Sequence, residues 1–192
     1  MRCILFDLDG TLTDTFELWY RCVHDLVLKH AGRELSKDEY ARKYWGMDSR
    51  SKIRELITTE PQDVEKLYAE LQTALIDNIQ AVTAFPGISD AIRSLSKRYP
   101  LAAISNSSIA FMQAQLEHTG LMGYFTVLIA DALPKPSPEG LLRAIRELGC
   151  APQDALFVGD SRFDTAAGKA AGIRTLLIGK DIAVDELGKL GW

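Results

Sequence analysis

Five short apolar runs limit what this chain of 192 residues can fold into more than any other feature of its sequence. The runs occupy residues 3–8, 101–105, 126–130, 155–159 and 174–179. They show little polar alternation, so both faces of each strand are expected to be buried, as in a parallel sheet. Helical patterns separate the last four runs. This alternation predicts an α/β fold, a Rossmann-like three-layer sandwich with a parallel sheet.

Capping residues predict where two helices of this sandwich lie. Ser137 followed by Pro138 is typical of a helix start and Gly149 of a helix end, which predicts a helix over 138–148. A second helix, rich in small residues, is predicted over 162–171 and also ends before a glycine.

The gap between the first and second runs is too long for a single crossover connection. It contains helical patterns instead, among them an apolar face that begins after Pro61 and continues to Ile79. We therefore predict an all-helical cap over residues 15–84. It is inserted into an α/β core that is made of residues 1–14 and 85–192.

Polar side chains follow the ends of four of these strands. The carboxyl ends of parallel strands meet at one edge of a sheet, and ligands of open α/β sheets bind there. The side chains expected at this edge, in chain order, are Asp7, Asp9, Thr11, Ser105, Asn106, Ser107, Ser108, Lys135, Asp160, Ser161 and Asp164. The sequence therefore gathers several acids, hydroxyls and one lysine in a small volume.

Carboxylates crowded in this way need a compensating charge. A hard divalent cation is the natural partner, since Mg²⁺ commonly combines one or two carboxylates with phosphate oxygens. Lys135 and the hydroxyls then suit a phosphoryl group, and a helix that opens near Ser105 offers backbone N–H groups to an anion. Phosphoryl transfer depends mainly on positioning and charge neutralisation. Of Asp7 and Asp9, one is expected to act as nucleophile and the other as proton carrier.

Four segments, DLDGT, ISNSS, LPKPSPEG and VGDSRFD, have the order and spacing of the signature motifs of the haloacid dehalogenase superfamily. The chain most resembles the phosphatase branch with a helical cap, the neighbourhood of phosphoglycolate phosphatase and β-phosphoglucomutase, and the likeness covers essentially the whole chain. The resemblance implies an Mg²⁺-dependent phosphatase of small phosphorylated metabolites, a phosphoric monoester hydrolase that works through an aspartyl-phosphate intermediate.

The resemblance also implies a role for each motif residue. Asp7 would attack phosphorus, and Asp9 would protonate the leaving alcohol and then activate water. Mg²⁺ would bind the carboxylates of Asp7 and Asp160 and the backbone carbonyl of Asp9. Ser105 and Lys135 would hold the phosphoryl oxygens.

Further residues of the motifs would support this set. Asp164 would orient Lys135 or the waters of the metal, with Ser161 beside it. The remaining residues expected near the phosphate are Gly10, Thr11 and Asn106.

The cap segment WGMDSRSK (45–52) supplies the residues expected to face the substrate. In capped relatives such a loop often carries a glycine and a basic residue, and Gly46 and Arg50 match them, with Lys52 as second choice. A solvated position of Arg50 on a helix stays open. The aromatic residues of the cap are expected mainly in its core: Trp19, Tyr20, Tyr44 and Trp45.

Composition argues against several other classes of protein. The net charge of −4 leaves no basic excess for nucleic acid or an anionic membrane. No apolar run approaches the roughly 18 residues of a membrane span, and Asp7 and Asp9 interrupt any signal peptide. The three cysteines are interpreted as free thiols of a reducing cytoplasm. We expect a cytoplasmic protein, a monomer or small homo-oligomer, whose partner is a small phosphorylated metabolite.

Two alternative functions stay open. A phosphomutase of the β-phosphoglucomutase type would use the same core motifs. In a different class, a non-catalytic module could bind phosphate on the same fold, although the presence of both Asp7 and Asp9 argues against it. The physiological substrate does not follow from the motifs.

Overall fold

The structure, a computed structural model, describes residues 2–130 and 132–178. Its strands are β1 (Cys3–Phe6), β2 (Thr13–Asp14), β3 (Thr83–Ala84), β4 (Leu101–Ile104), β5 (Val127–Ile129), β6 (Ala155–Gly159) and β7 (Arg174–Leu177). Five of them form a parallel sheet in the order β5-β4-β1-β6-β7, which confirms the predicted strands and the α/β fold class. The end of the last predicted run at 179 lies outside the described residues.

Helices cover this sheet and fill the long connection after its first strand. They are α1 (Phe16–Ala31), α2 (Lys37–Glu39), α3 (Ser49–Leu56), α4 (Pro61–Asp77), α5 (Ile88–Ser96), α6 (Ile109–His118), α7 (Glu139–Glu147) and α8 (Arg162–Ala171). The helix predicted over 138–148 is α7, one residue shorter at each end, and α8 has its predicted bounds. None of the helices in the described part of the chain combines the length and apolar character that a membrane crossing needs.

The three central strands β4, β1 and β6 are buried on both faces, which explains why they are apolar throughout, whereas the edge strand β7 is partly exposed and begins with Arg174. Ile4 and Phe6 of β1 pack in one hydrophobic cluster with α5 and α6. Cys3 and Leu5 pack in a second cluster with α7 and α8. Successive side chains of a strand point to opposite faces, so each residue of β1 is covered by one of the two helical layers.

Helices α1 to α4 and the segments between them, which we call the helical insert, share a hydrophobic cluster that Phe111 of α6 joins from the core. The chain enters and leaves the insert through β2 and β3, which pair with each other antiparallel. Helix α2 continues into a π-helical turn over Tyr40–Tyr44. That residues 15–84 fold as a separate cap domain stays a prediction.

The interpretation of all three cysteines as free thiols is wrong for two of them. Cys3 on β1 forms a disulfide with Cys150, which follows α7, and their Cα atoms are 6.5 Å apart. Cys22 is free. The two bonded residues are 147 positions apart in the sequence, so only the packing of α7 on the sheet brings them together. The argument from free thiols to a cytoplasmic location therefore no longer applies, and that location stays a prediction.

Tyr40 is fully buried in the insert, and its hydroxyl has no hydrogen-bond partner among the described residues. Tyr40→Phe removes this hydroxyl, so the free energy of unfolding should stay unchanged or rise by about 1 kcal/mol. Tyr20→Phe is the matched control, because the Tyr20 hydroxyl donates to the carbonyl oxygen of Leu35 at 3.2 Å. That variant should lose about 1 kcal/mol. Urea denaturation measures both, and a larger loss in Tyr40→Phe than in Tyr20→Phe would contradict the assignment.

Candidate active site

The candidate site lies at the carboxyl edge of the sheet, beyond the end of the central strand β1. The backbone N–H of Asp7 donates to the carbonyl oxygen of Val158 at 2.8 Å and so extends the pairing of β1 with β6. Leu8 is fully buried in the cluster beneath α5 and α6. The predicted residues of the first motif are thereby held on the rigid centre of the sheet.

Lys135 joins two acids of the site in a buried ion cluster. Its Nζ donates to Oδ1 of Asp7 and to Oδ1 of Asp164, both at 2.6 Å. Burial alone would lower the pKa of Lys135, but the carboxylates of Asp164 and Asp7 raise it overall, which favours the ammonium form. Burial, reinforced by Asp164, raises the pKa of Asp7 well above its usual value although Lys135 opposes the shift. If fully ionised, Asp7, Asp160 and Asp164 would place three negative charges beside the one positive charge of Lys135.

Asp164 reaches this cluster from the first turn of α8. It forms a capping box with Ser161, whose backbone N–H donates to Oδ2 of Asp164 at 2.9 Å and whose Oγ accepts from the Asp164 N–H at 3.3 Å. Gly159 leaves room for the carboxylate, since a Cβ at Gly159 would lie 2.5 Å from Cγ of Asp164. The predicted supporting residues, Ser161 and Asp164, thus lie beside Lys135.

Three carboxylates form a candidate metal group. Oxygen atoms of Asp7, Asp160 and Asp164 lie within 4.8 Å of one another. An all-oxygen, strongly anionic set of this kind fits a hard cation such as Mg²⁺, and a cation would offset the excess charge around Lys135. The carboxylate of Asp9 is not part of the group. Its predicted contribution was the backbone carbonyl, and that ligand stays a prediction.

The carboxylate of Asp9 is held by five side-chain donors. Oδ1 accepts from Thr15 Oγ1 at 2.9 Å, Trp19 Nε1 at 2.9 Å and Gln115 Nε2 at 3.1 Å, and Oδ2 accepts from Ser105 Oγ at 3.1 Å and Ser107 Oγ at 2.6 Å. Both oxygens are therefore fixed, and the hydroxyl of Ser105 contacts Asp9 in addition to its predicted role toward phosphate.

Gln115 is a residue of the site that the sequence analysis missed. It is fully buried on α6, where its Oε1 accepts from Thr13 Oγ1 at 2.8 Å while its amide donates to Asp9. A single glutamine within a helical pattern carries no signal of this role, because only the packing of α6 against the turn after β1 brings it to Asp9.

Asn106 uses its side chain to tie backbone segments together. Its Oδ1 accepts from the Lys135 N–H at 2.8 Å, and its Nδ2 donates to the carbonyl oxygens of Gly46 at 2.9 Å and Lys135 at 3.1 Å. Asn106 thus fixes the loop of Lys135, and it also connects the sheet edge with the insert.

Two predicted residues of the first motif shape the turn after β1. Gly10 has a φ of +84°, a left-handed conformation that favours glycine. Thr11 is almost completely buried, and its Oγ1 has no partner among the described residues. Gly10 lies against Asp160, since a Cβ at Gly10 would be 2.3 Å from its Oδ2, and the expected role of both residues near the phosphate stays a prediction.

The structure corrects the expectation for Arg50. Its guanidinium forms a two-point contact with Glu65, at 2.7 and 2.9 Å, and lies over the ring of Tyr68, 3.7 Å from the ring centroid. It therefore lies away from the cleft. The buried face of α3 carries Ser49, Lys52, Ile53 and Leu56. Arg50 is two positions from Lys52, so the helix turns the two side chains to different sides.

Lys52, the second choice of the sequence analysis, lines the cleft. It is 4% exposed, and its Nζ lies 4.5 Å from the ring centroid of Trp19. No carboxylate of the described residues forms an ion pair with it. Burial lowers the pKa of Lys52 to about 8, although Asp9 and Asp48 oppose the shift. A buried amine without an acidic partner therefore faces the cleft.

The cleft lies between the sheet edge and the insert and encloses about 340 Å³, its open mouth included. Asp7, Asp9, Ser105, Asn106 and Lys135 line it from the core, and Trp19, Trp45, Gly46 and Lys52 from the insert. Trp19 and Trp45 therefore contribute to the site and not only to the core of the insert.

Comparison with known proteins identifies the family to which the chain belongs. A family model described as haloacid dehalogenase-like hydrolase matches residues 4–178. The chain is 34% identical over 184 residues to phosphoglycolate phosphatase 1 of Pseudomonas aeruginosa, and the aligned part covers 90% of this chain and 67% of that protein. It is 32% identical over 186 residues to the phosphoglycolate phosphatase of Aquifex aeolicus, covering 92% and 84% of the two chains.

A solved structure supports the fold. The structure of CbbY from Rhodobacter sphaeroides in complex with phosphate superposes with a TM-score of 0.83 at 23% sequence identity, covering 100% of this chain and 96% of that one. At this identity the likeness speaks for the shared fold alone.

The lowered pKa of Lys52 predicts a pH-dependent stability. In the unfolded chain the amine has its ordinary pKa of 10.5, so between pH 8 and 10.5 the unfolded state binds the extra proton and stability rises with pH. Below about pH 8 the amine is charged in both the folded and the unfolded state, so the folded state carries the full free-energy cost of burying the ammonium. Lys52→Met should therefore raise the free energy of unfolding by roughly 3 kcal/mol at pH 7, a gain that disappears near pH 10.5.

Urea denaturation at pH 7 and pH 10 measures the difference between the variant and the wild type. Lys66→Met is the matched control, because Lys66 is an exposed lysine on α4 and its substitution should change stability little at either pH. A loss of stability in Lys52→Met at pH 7 would show that the ammonium is compensated within the chain.

Proposed function

Since the chain belongs to the haloacid dehalogenase-like hydrolase family, we propose that it is an Mg²⁺-dependent phosphatase that hydrolyses a small phosphorylated metabolite through an aspartyl-phosphate intermediate. The observation that carries the proposal is the buried cluster of Asp7, Lys135 and Asp164 beside Asp160. Its excess negative charge suits a cation, and its lysine suits a phosphoryl oxygen. The two phosphoglycolate phosphatases to which the chain is similar support the phosphatase chemistry.

Asp7 is the proposed nucleophile. Its Oδ1 accepts from Lys135, whereas Oδ2 makes no hydrogen bond to the described residues. An oxygen of Asp7 attacks phosphorus, the bond between phosphorus and the leaving oxygen breaks, and Lys135 stabilises charge on the phosphoryl oxygens. A bound Mg²⁺, held by Asp7 and Asp160 and assisted by Asp164, would neutralise further charge on the phosphoryl group.

Asp9 is the proposed acid and base. It lines the same cleft as Asp7, and its five donors hold it in place. It would give a proton to the leaving alcohol in the first step. In the second step it would take a proton from the water that attacks the aspartyl-phosphate, which releases inorganic phosphate and restores Asp7.

Lys52 supports a proposal about the substrate class. A buried ammonium without an acidic partner is unfavourable, and an anion in the cleft would remove that cost. We infer that the leaving half of the substrate carries a carboxylate that binds Lys52. A phosphate ester of a short hydroxy acid has such a group, and phosphoglycolate is the first candidate because two relatives are phosphoglycolate phosphatases.

The two alternative functions differ from this proposal in their products. A phosphomutase returns the phosphoryl group to a sugar, so glucose 1-phosphate would become glucose 6-phosphate. A phosphatase releases inorganic phosphate instead, and a non-catalytic module leaves the ester intact. One incubation with product analysis therefore separates the three functions.

Asp7→Asn should abolish phosphate release, because a neutral amide does not attack phosphorus and is a poorer ligand for a cation. The measurement is release of inorganic phosphate from a panel of small phosphate esters, with Mg²⁺ and with chelator. Circular dichroism checks that the variant is folded. Wild-type turnover by a folded Asp7→Asn variant, or full wild-type activity in chelator, would disprove the proposed mechanism.

Lys52→Met should lower kcat/KM for phosphoglycolate by roughly tenfold to hundredfold, the effect of losing one charge-assisted hydrogen bond. An aryl phosphate has no carboxylate, so its kcat/KM should change little. Arg50→Ala is the matched control because Arg50 lies outside the cleft. This variant should change kcat/KM for neither ester. An equal loss on both esters in Lys52→Met would mean that Lys52 supports the cleft and does not select the substrate.

A further inference from the structure

Trp45 connects the helical insert with the candidate metal group. Its indole Nε1 donates to Oδ2 of Asp160 at 2.8 Å. Oδ1 of Asp160 makes no hydrogen bond within the described part of the chain. One oxygen of this carboxylate is therefore held by the insert, while the other is available beside Asp7 and Asp164.

The backbone next to Trp45 is seated on the sheet edge. The carbonyl oxygen of Gly46 accepts from Asn106 at 2.9 Å, and that of Lys43 accepts from Nη2 of Arg162 at 3.3 Å. Gly46 has a φ of +77°. A Cβ at this position would lie 3.1 Å from Cβ of Ser161, the residue after Asp160.

Gly10 leaves the space in which Trp45 meets Asp160. A Cβ at Gly10 would lie 2.3 Å from Oδ2 of Asp160 and 2.8 Å from Cζ2 of Trp45. The indole of Trp45 and the carboxylate of Asp160 therefore pack directly against the backbone of Gly10 in the turn after β1.

We propose that Trp45 is a positioning residue for the metal, and that it orients Asp160 so that the affinity for a divalent cation depends on how the insert is seated. The inference rests on the proposed function, because it takes Asp7, Asp160 and Asp164 as the metal group. A donor that fixes a ligating carboxylate commonly changes metal affinity tenfold to hundredfold.

The coupling acts in both directions. If the seated insert strengthens binding of the cation, the bound cation strengthens the seating of the insert by the same factor. Trp45, which contacts the metal group, is the neighbour of Gly46 in the sequence, and both residues line the substrate cleft. Metal binding and the shape of the substrate cleft are linked through Trp45.

A purely structural role for Trp45 is the competing explanation. Its ring packs edge-on against Phe16, with ring centroids 5.1 Å apart, and lies near Tyr40 at 6.4 Å. Trp45→Phe keeps an aromatic ring in this place and removes the N–H donor. The variant therefore separates packing from the contact with Asp160.

The experiment measures metal binding without turnover. Wild type and Trp45→Phe are freed of metal by dialysis against chelator and titrated with Mn²⁺, whose free ion is counted by electron paramagnetic resonance, and Mg²⁺ is added as competitor. The Kd for both ions should rise about tenfold to hundredfold in Trp45→Phe. The urea midpoint of the metal-free variant should fall by no more than the loss of one hydrogen bond, so the variant stays folded during the titration.

Two control variants separate Trp45 from other contacts of the insert. Trp19→Phe removes an equivalent indole donor, but from Asp9. Arg162→Ala removes a contact between core and insert that does not involve Asp160. Both should bind Mn²⁺ with about the affinity of the wild type.

The outcomes are distinct. Unchanged or tighter binding in Trp45→Phe overturns the inference and leaves Trp45 a packing residue. Equal weakening in all three variants also overturns it, because the seating of the insert in general would then control the metal. Absence of Mn²⁺ and Mg²⁺ binding in the wild type would disprove the metal of the proposed function itself, and this inference with it.

Discussion

The contact of Lys135 with Asp7 and Asp164 is the interaction on which the rest of the site depends. Both hydrogen bonds are 2.6 Å long, and all three side chains are buried. Removing a buried charge from such a group is costly, because its partners are left without compensation. The surrounding features serve this cluster: the capping box of α8 holds Asp164, and Asn106 holds the backbone of Lys135. The negative charge that remains fits the cation of the proposed function.

Two tryptophans of the helical insert each donate to a different acid at the sheet edge. Trp19 donates to Asp9, the proposed proton carrier, and Trp45 donates to Asp160 in the candidate metal group. Indole is a donor only, so each ring keeps a carboxylate in one orientation while its apolar body packs in the insert. The insert therefore does more than line the cleft, because it also donates one hydrogen bond to each of two acids at the sheet edge. Lys52 adds a third element, an amine that forms no ion pair with the residues described by the structure.

Much of the fold and the list of acids could be predicted from the sequence, because both depend on local patterns. Apolar runs without alternation indicate strands covered on both faces, and acids directly after such runs must emerge at one edge. The direction of a helical side chain was harder to predict. Arg50 and Lys52 were both candidates, and the buried positions 49, 52, 53 and 56 of α3 decide between them. That periodicity was present in the sequence, but its orientation depends on where α3 packs.

Sequence alone determined the strand order along the chain, the acids that follow β1 and β6, and the long helical insertion after the first strand, because short-range hydrophobic and capping patterns encode them. Only the tertiary structure decided which distant residues meet. Gln115 reaches Asp9 across 106 positions, Trp45 reaches Asp160 across 115, and Cys3 reaches Cys150 across 147. The physical reason is that such contacts depend on how whole helices pack against the sheet. That packing depends on many side chains together, so the local sequence around two residues does not indicate that they will contact each other.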